Sequence, residues 1–244
     1  MSTPRKLKKD AIAEALFEFR FQCDEIPEAV LGHLLAFSAW SEFEQIRLPT
    51  ADLPWPIQAD DPGLLVQPRI QLVKSDRTEV GKIGPRVASY HMLAPYAGWV
   101  AFEPRIRGLV EHCFASIRGL KAQRLGLRYI NILTAADHRI GAFGDLALSV
   151  SVGNRQLSGD MSLIYNVARG PDTLARVSVS SPEMVIGPEG PFAAVVDVDV
   201  ATRGGTDFGS PDQILSWMDE AHEFEKEQFF SLIPDAILKD LVEE

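Results

Sequence analysis

The sequence predicts an α+β fold: a curved, mainly antiparallel sheet with two or three long helices packed on one face. Three observations lead to it. Short alternating stretches follow one another with turn residues between them, as in antiparallel meanders. Two longer stretches, near 104–119 and 210–233, repeat apolar residues at helical spacing. Between them Arg124–Leu133 reads as a strand that is mostly apolar on both faces, the pattern of a central strand covered on two sides. Two halves, residues 1–133 and 134–244, are loosely alike, each with a long helix, but no sequence repeat marks a duplication.

Taken in order, residues 1–10 are a polar lead-in with Arg5, Lys6, Lys8 and Lys9, expected to be a solvated tail. Ile12–Phe21 alternates, with Phe17, Phe19 and Phe21 on one face and Glu18 and Arg20 on the other, and predicts a half-exposed strand. Asp24 and Pro27 mark the start of a helix over 27–38, whose inward stripe is Val30, Leu31, Leu34 and Leu35. Phe43–Leu48 predicts a return strand. Five prolines between 49 and 68 predict a long loop without regular structure, with Trp55 pinning it to the body. Arg69–Lys74 and Thr78–Ile83 predict strands joined by the turn residues Ser75, Asp76 and Arg77, followed by a strand at Val87–Met92.

Pro95-Tyr96-Ala97-Gly98-Trp99 breaks the chain before a helix that has Pro104 in its first part. The stripe of that helix is Ile106, Leu109, Val110, Cys113, Phe114 and Ile117, with Gly119 as the candidate C-cap. The central strand follows. Leu125, Leu127, Tyr129, Asn131 and Leu133 share one face, and Arg124, Arg128, Ile130 and Ile132 the other. Phe143–Leu146 predicts a helical turn. Strands are then expected at Leu146–Val152, Met161–Ala168, Leu174–Ser180 and Phe192–Val200, with turn residues such as Gly153-Asn154, Gly170-Pro171 and Gly187-Pro188 between them. In the last strand Ala194, Val196, Val198 and Val200 face the core, and Asp197 and Asp199 a solvated outer side. Ser210-Pro211-Asp212-Gln213 is a capping box with proline at the first helical position. The helix it opens runs Ile214, Trp217, Met218, Ala221, Phe224 and Gln228 down one side, and a short helix at 235–242 ends the chain.

The net charge of −10 and the pI near 5.0 argue against a general nucleic-acid binder, which needs a basic face. Cys23 and Cys113 are too far apart in sequence to suggest a zinc site or a disulfide framework, and both read as buried thiols. No apolar run approaches the length of a membrane span, so the expectation is a cytoplasmic protein.

Ile12-Ala13-Glu14-Ala15 with Phe17 to Phe21, then Gly98-Trp99, Leu127-Arg128-Tyr129-Ile130-Asn131, and finally His222 and Phe229, resemble a sporadically distributed bacterial family of uncharacterised proteins of about this length. The Arg-Tyr-Ile-Asn element is its most specific part. The family usually follows that element with a basic residue, where this chain has Ile132. The resemblance implies a patchy distribution typical of defence-linked or toxin–antitoxin-like loci.

The candidate ligand-binding residues are Arg128, Tyr129 and Asn131 on the central strand, Tyr165 on a later strand, and His222 on the last helix with Glu225 beside it. A planar guanidinium suits a carboxylate or phosphate, and buried tyrosine and asparagine need partners. Alternation opposes them, because it points Arg128 away from Tyr129 and Asn131, and an acidic neighbour would then take Arg128 as an ion pair. Histidine spacings show no zinc pattern, and there is no Walker loop, dinucleotide fingerprint or nucleophile elbow, so no cofactor, metal or catalytic residue is assigned. The favoured expectation is a non-enzymatic, regulatory or antitoxin-like protein that binds a protein partner. The alternative is a small-molecule-binding protein or enzyme with a pocket between the sheet and the C-terminal helix. A homodimer through a sheet edge or the last helix is compatible with either.

Overall fold

In a computed structural model, residues 6–53, 61–157, 159–184 and 192–242 are described. Trp55, Arg5 and the Gly187-Pro188 turn, all singled out above, lie outside them. Nine antiparallel strands form one open sheet. They are β1 (Ile12–Gln22), β2 (Phe43–Arg47), β3 (Ile70–Lys74), β4 (Glu79–Gly84), β5 (Val87–Leu93), β6 (Lys121–Leu133), β9 (Ser162–Arg169), β10 (Thr173–Ser180) and β11 (Ala194–Thr202). β7 (Val150–Val152) and β8 (Arg155–Leu157) form a separate two-stranded hairpin. The helices are α1 (Pro27–Leu35), the single turn α2 (Pro62–Leu65), α3 (Trp99–Ser116), the single turn α4 (Ala135–His138), α5 (Pro211–Ser231) and α6 (Asp235–Leu241). The α+β class with a curved sheet and helices packed against it is the predicted one.

The strand order is β2-β3-β4-β5-β1-β6-β11-β10-β9. β1 and β6 therefore lie side by side at the centre. From β1 the chain runs out to the β2 edge and returns as a meander through β3 and β4 to β5, beside its starting strand. From β6 it does the same through β9 and β10 to β11. Each meander is followed by a long helix, α3 or α5, laid back on the same face.

That face is the core. Phe17 and Phe19 are fully buried and Phe21 nearly so, with ring centroids 6.2 and 5.6 Å apart along the strand. Burying one such side chain contributes about 1.5–3 kcal/mol. Leu125, Leu127, Tyr129 and Leu133 of β6 and Val196, Val198 and Val200 of β11 continue the layer. Phe102, Ile106, Leu109, Val110 and Cys113 of α3, and Ile214, Met218, Ala221 and Phe224 of α5, close it from above. The other face of the sheet is polar and partly open. There Glu18 pairs with both Arg20 and Arg124.

Several expectations change. Covering on both faces of the central strand is not found: the helices cover one, and the Arg128 side chain on the other remains 39% exposed. The proline-rich stretch does contain regular turns, because Pro49 and Pro62 each sit at the first position of a short helical turn, where the missing N–H is not needed. The cap of α1 is Ile26 without a side-chain bond, not Asp24, and α1 stops at Leu35. Leu146–Val152 yields a strand only from Val150. Cys23 is half-buried rather than buried. Lys6, Lys8 and Lys9 of the lead-in are exposed, but the segment is tied to the last helix rather than loose. Lys8 N–H donates to the Leu241 carbonyl at 2.7 Å, Lys8 Nζ to the Asp240 carbonyl at 2.9 Å, and Leu7 forms a β-bridge with Val242.

Gly81 shows how tightly the helix-side face is filled. A Cβ there would sit 2.6 Å from the ring of Trp40, which stacks on Tyr90 at 5.4 Å between centroids. Gly81→Ala is expected to destabilise the fold by about 1–3 kcal/mol through overpacking, read as a lower denaturant midpoint at unchanged slope.

Candidate functional site

α5 begins at a well-made cap. Ser210 accepts from the Gln213 N–H, and the Gln213 side chain returns to the Gly209 N–H at 2.8 Å. The helix then lies across β6, β11 and β10. Its buried side carries apolar residues until the last turns, where His222 and Glu225, three residues apart, face the body. Opposite them lie Tyr129 and Asn131 of β6. Between helix and sheet is a cavity of about 120 Å³. Its walls include Ile12 of β1, Tyr96 and Gly98 before α3, Trp99 at the start of α3, and Phe229 and Phe230 of α5, with Lys6, Asp10 and Lys226 contributing charged groups. Ile12, Gly98, Trp99, Tyr129, Asn131, His222 and Phe229 are scattered through more than 200 positions of the sequence. They meet here.

Local structure fixes each ring. Gly98 adopts φ +92°, a backbone conformation that a side chain would strain, and so turns the chain into α3 with Trp99 as its first residue. Trp99 and the His222 imidazole stack with centroids 3.8 Å apart and planes 7° from parallel. Tyr96 and Tyr129 meet edge to face at 5.9 Å, and their hydroxyls lie 3.2 Å apart. Asn131 Nδ2 donates to the Val196 carbonyl at 3.3 Å, an ordinary tie to the neighbouring strand.

No protein-family model matches the chain, and no curated protein is significantly similar to it. The resemblance therefore rests on its own residues.

Burial shifts several groups that line the cavity: it raises the pKa values of Asp10, Tyr96 and Tyr129, and two further groups matter most near neutral pH. Burial lowers the pKa of His222 to about 4, so the ring is neutral at neutral pH. Burial pushes the Glu225 carboxyl up to about 8. Glu225 is 96% buried and lines the cavity, and among the described residues no hydrogen bond or ion pair to its carboxyl is found; the nearby Lys226 charge only partly offsets the effect of burial. Lys226, next to it in sequence, points its ammonium to Glu223 at 3.1 Å instead.

Of the five sequence candidates, Tyr129, Asn131 and His222 come together in this cavity. Arg128 and Tyr165 do not. Arg128 lies on the opposite face and makes a two-pronged ion pair with Asp197, at 2.8 and 2.6 Å. Asp197 is thus not a solvated outer residue, and burial raises the pKa of its neighbour Asp199. Tyr165 stands in the same cross-strand row as Tyr129, through Val198 and Val177, but three strands away. Three strand spacings amount to about 14 Å, too far to share the cavity.

Reading the sequence missed Tyr96, taken as part of a chain break, and undervalued Glu225. The signal for Glu225 was present, since it is four residues after buried Ala221 on the buried side of the helix. It also missed a relay on the helix-free face. Ser89 Oγ lies 2.9 Å from His91 Nε2, and His91 Nδ1 lies 2.6 Å from Glu14 Oε1. The connectivity is that of nucleophile, base and orienting acid. Ser89, however, is 98% buried and also donates to the Lys82 carbonyl, which leaves no approach for a substrate. It is a structural tie between β4, β5 and β1. Among the described residues no group of His, Cys, Asp or Glu is arranged to hold a metal, and no helix is long and apolar enough to cross a membrane.

The two shifted groups act oppositely on stability. Glu225, raised when folded, holds its proton longer in the native state. Stability is therefore lost as pH rises from the ordinary carboxylate range to about 8. His222, lowered when folded, causes a loss as pH falls from about 6.5 to about 4. Above pH 6.5 the Glu225 effect stands alone, with a limiting slope of about 1.4 kcal/mol per pH unit. Glu225→Gln is expected to abolish that slope and to raise the melting temperature at pH 8 more than at pH 5, checked by calorimetry across the range.

Proposed function

We propose that the protein binds a small molecule in the cavity between the sheet and α5. One observation carries this reading: the Glu225 carboxyl is withdrawn from water without a hydrogen-bond or ion-pair partner among the described residues, in the wall of a cavity lined by aromatic rings. A buried acid left in that condition costs the fold stability, which a structural role alone does not repay. A ligand that meets it would. The edge-to-face tyrosines and the stacked Trp99–His222 pair supply rigid walls of the kind that ligand sites use.

The cavity has no nucleophile beside an activated base among its lining residues, so the proposed activity is binding rather than turnover. Thermal-shift screening of the full chain against small-molecule libraries tests it. Saturating ligand at a hundred times its dissociation constant is expected to stabilise the protein by about 2.7 kcal/mol. Trp99→Leu should remove that stabilisation, and Arg128→Ala, on the far face, should leave it intact. Equal loss in both variants would overturn the location.

A second reading keeps the regulatory, antitoxin-like role that the resemblance implies. The sheet is open, so β2 and β9 are edges with unpaired backbone groups, and Ile164 of β9 is 52% exposed. A partner strand, or a second copy of the chain, adding to β9 is the mode these edges support. Ile164→Lys is expected to weaken such an association without lowering the melting temperature by more than about a degree, measured by the mass of the complex in solution and by calorimetry.

A further inference from the structure

The class of ligand follows from the chemistry of the cavity; this inference rests on the small-molecule reading above. The cavity is lined from four directions. Tyr129 presents from β6 and Tyr96 from the segment before α3. Asp10 and Lys6 come from the N-terminal segment, and His222 and Lys226 from α5 itself. The rings offer π faces and phenolic oxygens, all of which favour a positive neighbour. His222 is held neutral by burial and by the Lys226 charge, and so adds no positive charge. Lys226 is engaged by Glu223. Lys6 is exposed, whereas Glu225 is buried. Asp10 adds a second carboxylate, with one oxygen taken by the Ile12 N–H at 3.1 Å. An anion would oppose ionisation of two acids in a partly desolvated space, and a wholly apolar guest would leave the buried Glu225 carboxyl without a polar partner.

We propose that the cavity is a receptor site for a small organic cation, an alkylammonium headgroup seated among Tyr96, Trp99 and Tyr129 with its charge against Glu225. A cation brought to that carboxyl supplies the partner it lacks. The carboxyl loses its proton as the cation enters, and that proton passes to the solvent. Binding is therefore coupled to proton release and strengthens as pH rises toward 8. The compact, ring-walled space suits a methylated ammonium better than a primary amine with a full hydration shell.

The test uses the full chain with choline and with dimethylbutanol, its uncharged isostere in which carbon replaces nitrogen. Calorimetric titration in two buffers of different ionisation enthalpy reads both affinity and protons released. Choline is expected to bind at least about tenfold more tightly than the isostere and to release a proton near pH 7. Glu225→Gln should lower choline affinity by about tenfold or more, leave the isostere unchanged and abolish the proton release. Should that variant fail to fold, Trp99→Leu serves, with choline affinity expected to fall more than that of the isostere. Equal or tighter binding of the isostere would overturn the cation assignment and leave the pocket reading standing. Failure of choline and of butylammonium to bind, while a neutral or anionic library compound shifts the melting temperature through Trp99, would do the same. No binding by any compound, in a protein that folds normally, would overturn both.

Discussion

The pairing of β1 with β6 is the constraint on which the rest of the structure depends. The two strands run antiparallel from Ile12–Asn131 to Gln22–Lys121, with register shifts near both ends. Each is the first strand of one meander, and each meander closes on it. Without this seam there would be two small open sheets, each with a helix and an uncovered edge. With it, the phenylalanine row of β1 and the leucine row of β6 form one continuous floor. α3 and α5 can then pack against each other as well as against the sheet. The cavity lies where this floor reaches the end of the seam, bounded by Ile12 from one strand and Tyr129 and Asn131 from the other.

Much of the fold was legible because alternation was clean wherever one face was buried. Phe17, Phe19 and Phe21, or Ala194 to Val200, admit only one register. The sequence around 210–233 combined a cap, a proline and a 3.6-residue period, three independent signals for one helix. What could not be read was pairing partner and distance. Nothing in the chain says that β6 joins β1 or that Tyr165 ends three strands from Tyr129. Alternation alone correctly separated Arg128 from Tyr129, and the acid that takes Arg128, Asp197, was visible only as a residue on some outer face. Short turns that begin at proline were also hidden, since Pro49 and Pro62 have the same local appearance whether they break structure or start it.

The candidate site was legible in the same uneven way. Tyr129, Asn131 and His222 stood out as polar groups at positions where burial was expected. Glu225 was masked by a surface-like run of glutamates, Glu220, Glu223 and Glu227, from which only its phase on the helix distinguishes it. Tyr96 and Trp99 lay in a stretch whose proline and glycine signalled a break. Their role depends on Gly98 turning the chain by a conformation that the sequence permits but does not announce. The tools that separate a partnered polar group from an orphaned one are distance and direction, and these exist only once the helix is laid on the sheet.

The bridge between Leu7 and Val242 has a consequence for how the chain is tied together. It sets Leu7, which lines the cavity, beside Val242, which follows the last helix, so the backbone path between these two residues is almost a ring. A few residues would join those positions, and the closed chain would lose little beyond what the bridge already holds. New ends could then be opened at the exposed β9–β10 turn around Gly170, leaving the central seam uncut. In such a ring the lead-in and the last helix would belong to one continuous segment, and the cavity would have a hinge of fixed length at its rim.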